Sequence, residues 1–265
     1  MTKNCQIYYR GFLKNMSDYI LYQQFGGLGD NLQFTTLPKR FNELGKTFSV
    51  SKTNELINHE INDLVWKKNP FVQTTDSELS PNCGSMKKNH RPRHIRNVIE
   101  WNEWRHDLEP LNTNPVIYYT PKKIPEAEDK ILLDLGAGTC FRRKFYSIDR
   151  VLSLNNYLKS KTKNNLHVKS KYSISPITKY YEDEENILLD DIFHYCDLIY
   201  SCKKFICLYS GSSVLASCIR KSGILCIFPD IDQKKEIFGC SYLFPNITYI
   251  TCDKLFLNSS PDWRF

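Results

Sequence analysis

Three times this chain passes from an apolar, strand-like run into a turn of small residues and then into a helix-like run. Tyr19–Phe25 leads into Gly26, Gly27, Gly29 and Asp30; Lys130–Leu135 leads into Gly136–Thr139; Phe205–Tyr209 leads into Ser210–Ser213. A buried strand ending in glycine or serine and followed by a helix is the repeating unit of a parallel sheet with both faces covered. That repetition points to an α/β fold.

The flanking residues extend the pattern. After Asp30, apolar residues at Leu32, Phe34, Leu37, Phe41 and Leu44 follow helical spacing, and Gly45 stands where a helix-ending glycine belongs. Pro38 falls inside that run, where an interior proline costs ~3 kcal/mol. A second strand is expected at Thr47–Val50, and a helix around Leu56–Trp66. Between Asn112 and Asp129 the prolines 115, 121 and 125 suggest a linker around a short strand at Val116–Tyr119. Beyond it, a helix is expected from Ser147. Another is marked by Leu188, Ile192, Tyr195 and Ile199, with the acidic cluster Glu182–Glu185 at its start. Ser210–Gly223 reads as a helix with Ser212 as N-cap, Val214, Leu215, Cys218 and Ile219 as apolar face, Arg220 and Lys221 in the last turn and Gly223 closing it. Ile224–Phe228 is a further strand. The expected organisation is two Rossmann-like domains, residues 1–120 and 121–265, with parallel sheets facing each other across a cleft.

Composition narrows the function classes. A chain of 265 residues buries a substantial core. No apolar run approaches the ~20 residues of a membrane helix, and the N-terminus lacks a signal peptide's apolar core, so a cytoplasmic location is expected. Ten cysteines occur without a C-x-x-C pair or zinc spacing, as in a reduced protein. The net charge of +7 has its densest source in Met86–Arg96, which holds Arg91, Arg93 and Arg96. Such a run is either a solvated loop or a surface for an anionic substrate or membrane headgroups. Aromatic residues are not interleaved there, so no nucleic-acid partner is expected.

The turns carry distinct chemistry. A helix N-terminus behind a glycine turn offers N–H groups to an anion. Asp30 would repel a phosphate; it is either a helix cap or a general base for an acceptor hydroxyl. Arg142, Arg143 and Lys144, just past Gly138 and Thr139, suit a diphosphate. Ser210, Gly211, Ser212 and Ser213 supply hydroxyls and N–H groups without charge.

Three segments resemble the bacterial heptosyltransferase family, ADP-heptose:lipopolysaccharide heptosyltransferase-like enzymes of the GT-B glycosyltransferase architecture. GGLGDNLQFTTLPKRFNELGK resembles the family's opening, a small-residue turn, Gly-Asp and a helix with a proline eight residues on. LDLGAGTCFRRKFYSIDRVLSL resembles the start of its second domain, and FICLYSGSSVLASCIRKSGILCIFP its nucleotide-sugar motif. The resemblance implies a shortened GT-B fold and inverting transfer of a sugar, a heptose among the candidates, from a nucleotide sugar to a saccharide or glycolipid acceptor at the inner membrane face. It implies Asp30 as base, which puts Gly26, Gly27 and Gly29 on the acceptor side, and the basic run adds Arg91, Arg93 and Arg96 as acceptor-side candidates. Arg143, Lys144, Ser210 and Gly211 fall on the donor side. This chain has Tyr209 where the family usually has Asp, and no His in the helix that follows. No cofactor is implied beyond the donor substrate and no metal is expected; Asp230-x-Asp232 reads as a turn. The alternatives are a nucleotide-sugar epimerase-like enzyme, a non-catalytic nucleotide-sugar-binding protein on the same fold, and an S-adenosylmethionine methyltransferase suggested by ILLDLGAGT.

Overall fold

The computed structural model describes residues 18–21, 27–51, 59–75, 95–136, 146–170, 177–180, 186–228, 243–252 and 255. Its frame is two parallel sheets. The first has the order β1-β2-β3, from β1 (Asp18–Leu21), β2 (Thr47–Ser51) and β3 (Val72–Thr75). Helices α1 (Leu28–Leu32) and α2 (Leu37–Glu43) lie between β1 and β2. Helix α3 (His59–Asn62) runs into a π-helical turn, Asp63–Lys67, before β3, and α4 (Val98–Arg105) follows it.

The second sheet is built from β4 (Ile131–Asp134), β5 (Asn165–Ser170), β6 (Asn186–Leu189), β7 (Lys204–Leu208), β8 (Ile224–Phe228) and β9 (Ile247–Thr251). Its crossover helices are α5 (Ile148–Lys161), α6 (Ile192–Ser201) and α7 (Gly211–Ile219). The strand order is β6-β5-β4-β7-β8-β9, all parallel. This is the doubly wound order, reversing direction between β4 and β7, and ligands of such sheets bind at the carboxyl ends of the strands at that reversal.

Side chains alternate across the second sheet as strand geometry requires. Ile131, Leu133, Ile206, Leu208 and Ile227 pack with Val151, Leu154 and Leu158 of α5 on one face. Leu132, Phe205, Cys207, Ile224 and Cys226 face the other way, into a core that also holds Leu198 and Leu215 of α6 and α7. That core continues into Tyr19, Leu21, Phe48 and Val50 of the first sheet, so one apolar cluster joins the two sheets. The six described cysteines form no disulfide with one another and are mostly buried.

Several sequence expectations change. Pro38 does not kink one long helix. The helical run breaks at a turn over residues 33–36, and Pro38 falls in the first turn of α2, where a missing N–H costs nothing. Gly45 does end α2: its φ is 68°, Gly45 N–H donates to Asn42 O and Lys46 N–H to Phe41 O. Leu188 belongs to β6 and is exposed, so the helix begins only at Ile192, capped by Asp191. The N-cap of α7 is Ser210, whose Oγ accepts from Ser212 N–H, in place of Ser212. Arg220 lies just past α7 and its guanidinium donates to the carbonyls of Ile199, Cys202 and Lys203 at the end of α6. Val116–Tyr119 forms no strand. With prolines removing donors around it, that segment is held by side chains: Val116 N–H donates to Thr35 Oγ1, Lys122 N–H to Asp197 and Ile124 N–H to Ser201 Oγ. Helix α4, not anticipated from the sequence, is capped by Asn97, which accepts from Ile99 and Glu100 N–H.

Candidate functional site

Two of the three glycine or serine turns meet. Helix α1 packs on α7 through Gly29 and Gly211: a Cβ on Gly211 would stand 2.9 Å from Gly29 N, and one on Gly29 3.3 Å from Gly211 Cα. A side chain on Gly211 would run into backbone, and one on Gly29 would make a tight contact that its neighbour must yield to. Asp30 therefore lies one residue from the α7 N-terminus, although 180 positions separate the two turns in sequence.

Asp30 is the third residue of α1, and Gly27, with extended backbone, is the N-cap. The cap position that the sequence left open for Asp30 is filled by Gly27. The turn is fixed from below by buried Asn31. Its Nδ2 donates to Gly27 O at 2.9 Å and its Oδ1 accepts from the Trp66 indole at 2.8 Å. Thr35 Oγ1 donates to Leu32 O, and Asn102 Nδ2 to Gln33 O, so the carbonyls freed at the end of α1 have partners.

The second and third turns flank the strand reversal, since β4 and β7 are neighbours with Asp134 opposite Cys207. Asp134 Oδ1 accepts from Gly136 N–H and its Oδ2 from the Tyr195 hydroxyl. Burial, then the Asp134 carboxylate, push the Tyr195 phenol well above its ordinary range, so it stays a proton-bearing donor. Asp134, Tyr195, Asn31 and Trp66 are the residues that sequence reasoning missed. Only Asp134, an acid ending a buried strand before a glycine, carried a local signal.

Within α7's first turn, Ser210 Oγ donates to Leu208 O and Ser213 Oγ to Ser210 O. Tyr209, at the family's usual Asp position, presents an aromatic row: its ring lies 4.7 Å from Phe228, which stacks on Tyr249 at 5.1 Å.

Arg96 pairs with Glu100. Its Nε donates at 2.7 Å and its backbone N–H at 2.6 Å to that buried carboxylate, so its charge is locally balanced. Gly26, Arg91, Arg93, Gly138, Thr139, Arg142, Arg143, Lys144, Asp230 and Asp232 lie outside the described residues.

No protein-family model matches the chain, and no curated protein does. Solved structures do match in shape. The bacterial iron-containing dodecameric glycosyltransferase TibC from enterotoxigenic E. coli aligns over 79% of this chain and 59% of its own, with TM-score 0.55 and 15% identity. The chain shares its fold with glycosyltransferases. TibC in complex with ADP-D-β-D-heptose aligns over 75% of this chain and 55% of its own, with TM-score 0.50 and 15% identity. A glycosyl transferase family 9 protein from Veillonella parvula aligns over 92% of this chain and 88% of its own, with TM-score 0.54 and 9% identity. The chain thus spans less than two thirds of the length of TibC. Among the described residues no group of three or more His, Cys, Asp or Glu is placed to hold a metal, so they do not fit an iron site. Nor is any described helix long and apolar enough to cross a membrane.

Proposed function

We propose that this protein is a glycosyltransferase of GT-B type. In this reading it moves a sugar, a heptose foremost, from a nucleotide sugar to a saccharide or glycolipid acceptor with inversion. The observation that carries it is the Gly29–Gly211 contact. It sets the only acid of the first turn against the helix that follows the strand reversal of a doubly wound sheet, in a fold shared with solved glycosyltransferases.

The division of labour follows the two halves, 1–120 and 121–265. Asp30 takes the proton of the acceptor hydroxyl as the sugar carbon gains oxocarbenium character. Arg142, Arg143 and Lys144, after β4, stabilise the departing diphosphate, with Gly211 N–H at the α7 terminus. Arg91 and Arg93 attract an anionic acceptor, and no step is routed through a metal. The acceptor side works at the cytoplasmic face of the inner membrane.

A calorimetric screen of nucleoside diphosphates, nucleotide sugars and S-adenosylmethionine tests this. Binding of a nucleotide sugar, and its turnover with a saccharide acceptor, is the expected result. Binding of S-adenosylmethionine alone would overturn it.

A further inference from the structure

Asp134 is the last residue of β4, and across the strand reversal it faces Cys207 of β7. Strand alternation puts its side chain on the face of Leu132 and Cys207, which α6 and α7 cover and whose apolar cluster continues into the first sheet. The carboxylate is not free to swing there. Gly136 N–H donates to Oδ1 at 3.0 Å, and the hydroxyl of buried Tyr195, on α6, donates to Oδ2. A carboxylate accepts at about four positions, and among the described residues these two bonds fill one on each oxygen. Asp134 is only half-buried, at the carboxyl end of the sheet where ligands of doubly wound folds bind. What it offers a ligand is acceptor capacity with a negative charge, which phosphate avoids and a hydroxyl suits. In a nucleotide sugar the rings on either side of the diphosphate carry such hydroxyls, and the turn directly after Asp134 is the one proposed for that diphosphate.

We infer that Asp134 is a specificity-determining residue whose carboxylate accepts a hydrogen bond from a hydroxyl of the bound nucleotide sugar, on the ribose or on the transferred sugar. Tyr195 is a positioning residue: it holds the carboxylate in place from α6 and does not touch the ligand. This rests on the glycosyltransferase reading, and adds an acceptor to the cations and N–H groups proposed for the donor side.

Asp134→Asn separates this role from that of shaping the turn. An Asn oxygen also accepts from Gly136 N–H and its NH₂ can face the Tyr195 oxygen, so the turn is kept while the charge and the second acceptor oxygen are lost. The test is calorimetric affinity of wild type, Asp134→Asn and Tyr195→Phe for ADP-heptose, UDP-glucose and GDP-mannose, each with its nucleoside diphosphate and the 2′,3′-dideoxy form of that diphosphate. The wild type identifies the series to follow. Expected in Asp134→Asn is a loss of roughly 10- to 100-fold at one step of that series, the worth of a hydrogen bond to a charged group. Lost preference for the diphosphate over its dideoxy form places the hydroxyl on the ribose. Lost preference for the nucleotide sugar over its diphosphate places it on the transferred sugar. The dideoxy diphosphate should bind Asp134→Asn as well as wild type or better, because a negative charge near phosphate is gone. Tyr195→Phe keeps the carboxylate but unpins it, and should lower the same preference by roughly 3- to 10-fold. An intact preference there would overturn the positioning role of Tyr195. Should Asp134→Asn fail to fold, Tyr195→Phe makes the comparison alone. Equal weakening of all three members of the series, or an unaltered series in folded Asp134→Asn, overturns the inference and leaves the glycosyltransferase reading standing. Binding of none of these compounds by wild type overturns both.

Discussion

Gly29 and Gly211 touch backbone to backbone, with α1 and α7 too close at that point to admit a methyl group on Gly211. The contact is what makes one site of two turns: it brings Asp30 to the start of the helix behind the strand reversal. The core supports it from both sides, because Leu32 and Leu215 are buried in the same cluster.

Gly211→Ala is expected to destabilise the fold by ~1–3 kcal/mol, since the added Cβ meets backbone that has no rotamer to yield. Gly29→Ala, with its nearest contact at 3.3 Å, is expected to cost less. Urea denaturation of the two variants gives the order, and a larger loss in Gly29→Ala would contradict the packing described.

Asp30→Asn separates chemistry from capping. Gly27, not Asp30, is the N-cap of α1, and a carboxylate near a helix N-terminus is worth ~0.3–1 kcal/mol. Turnover is expected to fall ~10²–10⁴-fold with donor affinity and melting temperature close to wild type. Activity within a few-fold of wild type would remove Asp30 from the mechanism.

Asn31→Ala removes the bridge between Gly27 O and the Trp66 indole. Leaving those buried groups without their partner is expected to cost ~1–3 kcal/mol. The α1 turn loosens with it, so turnover should drop while diphosphate affinity holds. Parallel loss of diphosphate affinity would show that the bridge supports the donor side as well.

His106 predicts an acid-sensitive step in stability. Its Nδ1–H faces Asn102 O, so Nε2 must accept from the Tyr19 hydroxyl, and the ring is neutral in the fold. Burial chiefly, with Arg105 adding to it against the opposing Asn102 carbonyl and Asp107, lowers its pKa from 6.5 to about 4. Between these values the unfolded chain binds the extra proton, so acid favours unfolding. The contribution is whole above pH 6.5, shrinks as pH falls and is gone below about 4. Melting temperature should decline across that window in wild type, and less steeply in His106→Gln. Equal slopes would exclude His106 as the cause.

Replacing Arg143 and Lys144 together by alanine is expected to weaken nucleoside-diphosphate binding by roughly 2–4 kcal/mol if both contact phosphate. Calorimetry on the folded double variant measures this directly. Unchanged affinity would take the diphosphate away from the turn after β4.

Strands β1, β2, β4, β7 and β8 and some helix ends were legible because local rules govern them. Buried parallel strands read as apolar runs, as at Ile224–Phe228, and Gly45 and Ser147 mark helix boundaries with their own backbone and side-chain preferences. Where a local rule had two outcomes, the neighbours chose. Pro38 could kink a helix or open one, and the turn at residues 33–36, held by Thr35 and Asn102, made it open α2. Val116–Tyr119 had strand-like composition but found Thr35 and Asp197 side chains in place of a strand edge. Arg96 looked like a free cation until Glu100, one helical turn away, was placed beside it.

By itself, then, the sequence determined the repeating strand–turn–helix units, the α/β class and the candidate turns around Asp30 and Ser210, because each depends on residues a few positions apart. Only the tertiary structure decided that Gly29 meets Gly211, that Asn31 is pinned by Trp66, and that the Tyr195 hydroxyl donates to Asp134. Those contacts join residues 35 to 182 positions apart. Chain separation of that order leaves no periodicity to read, and close packing alone selects which of many chemically equivalent partners a side chain meets.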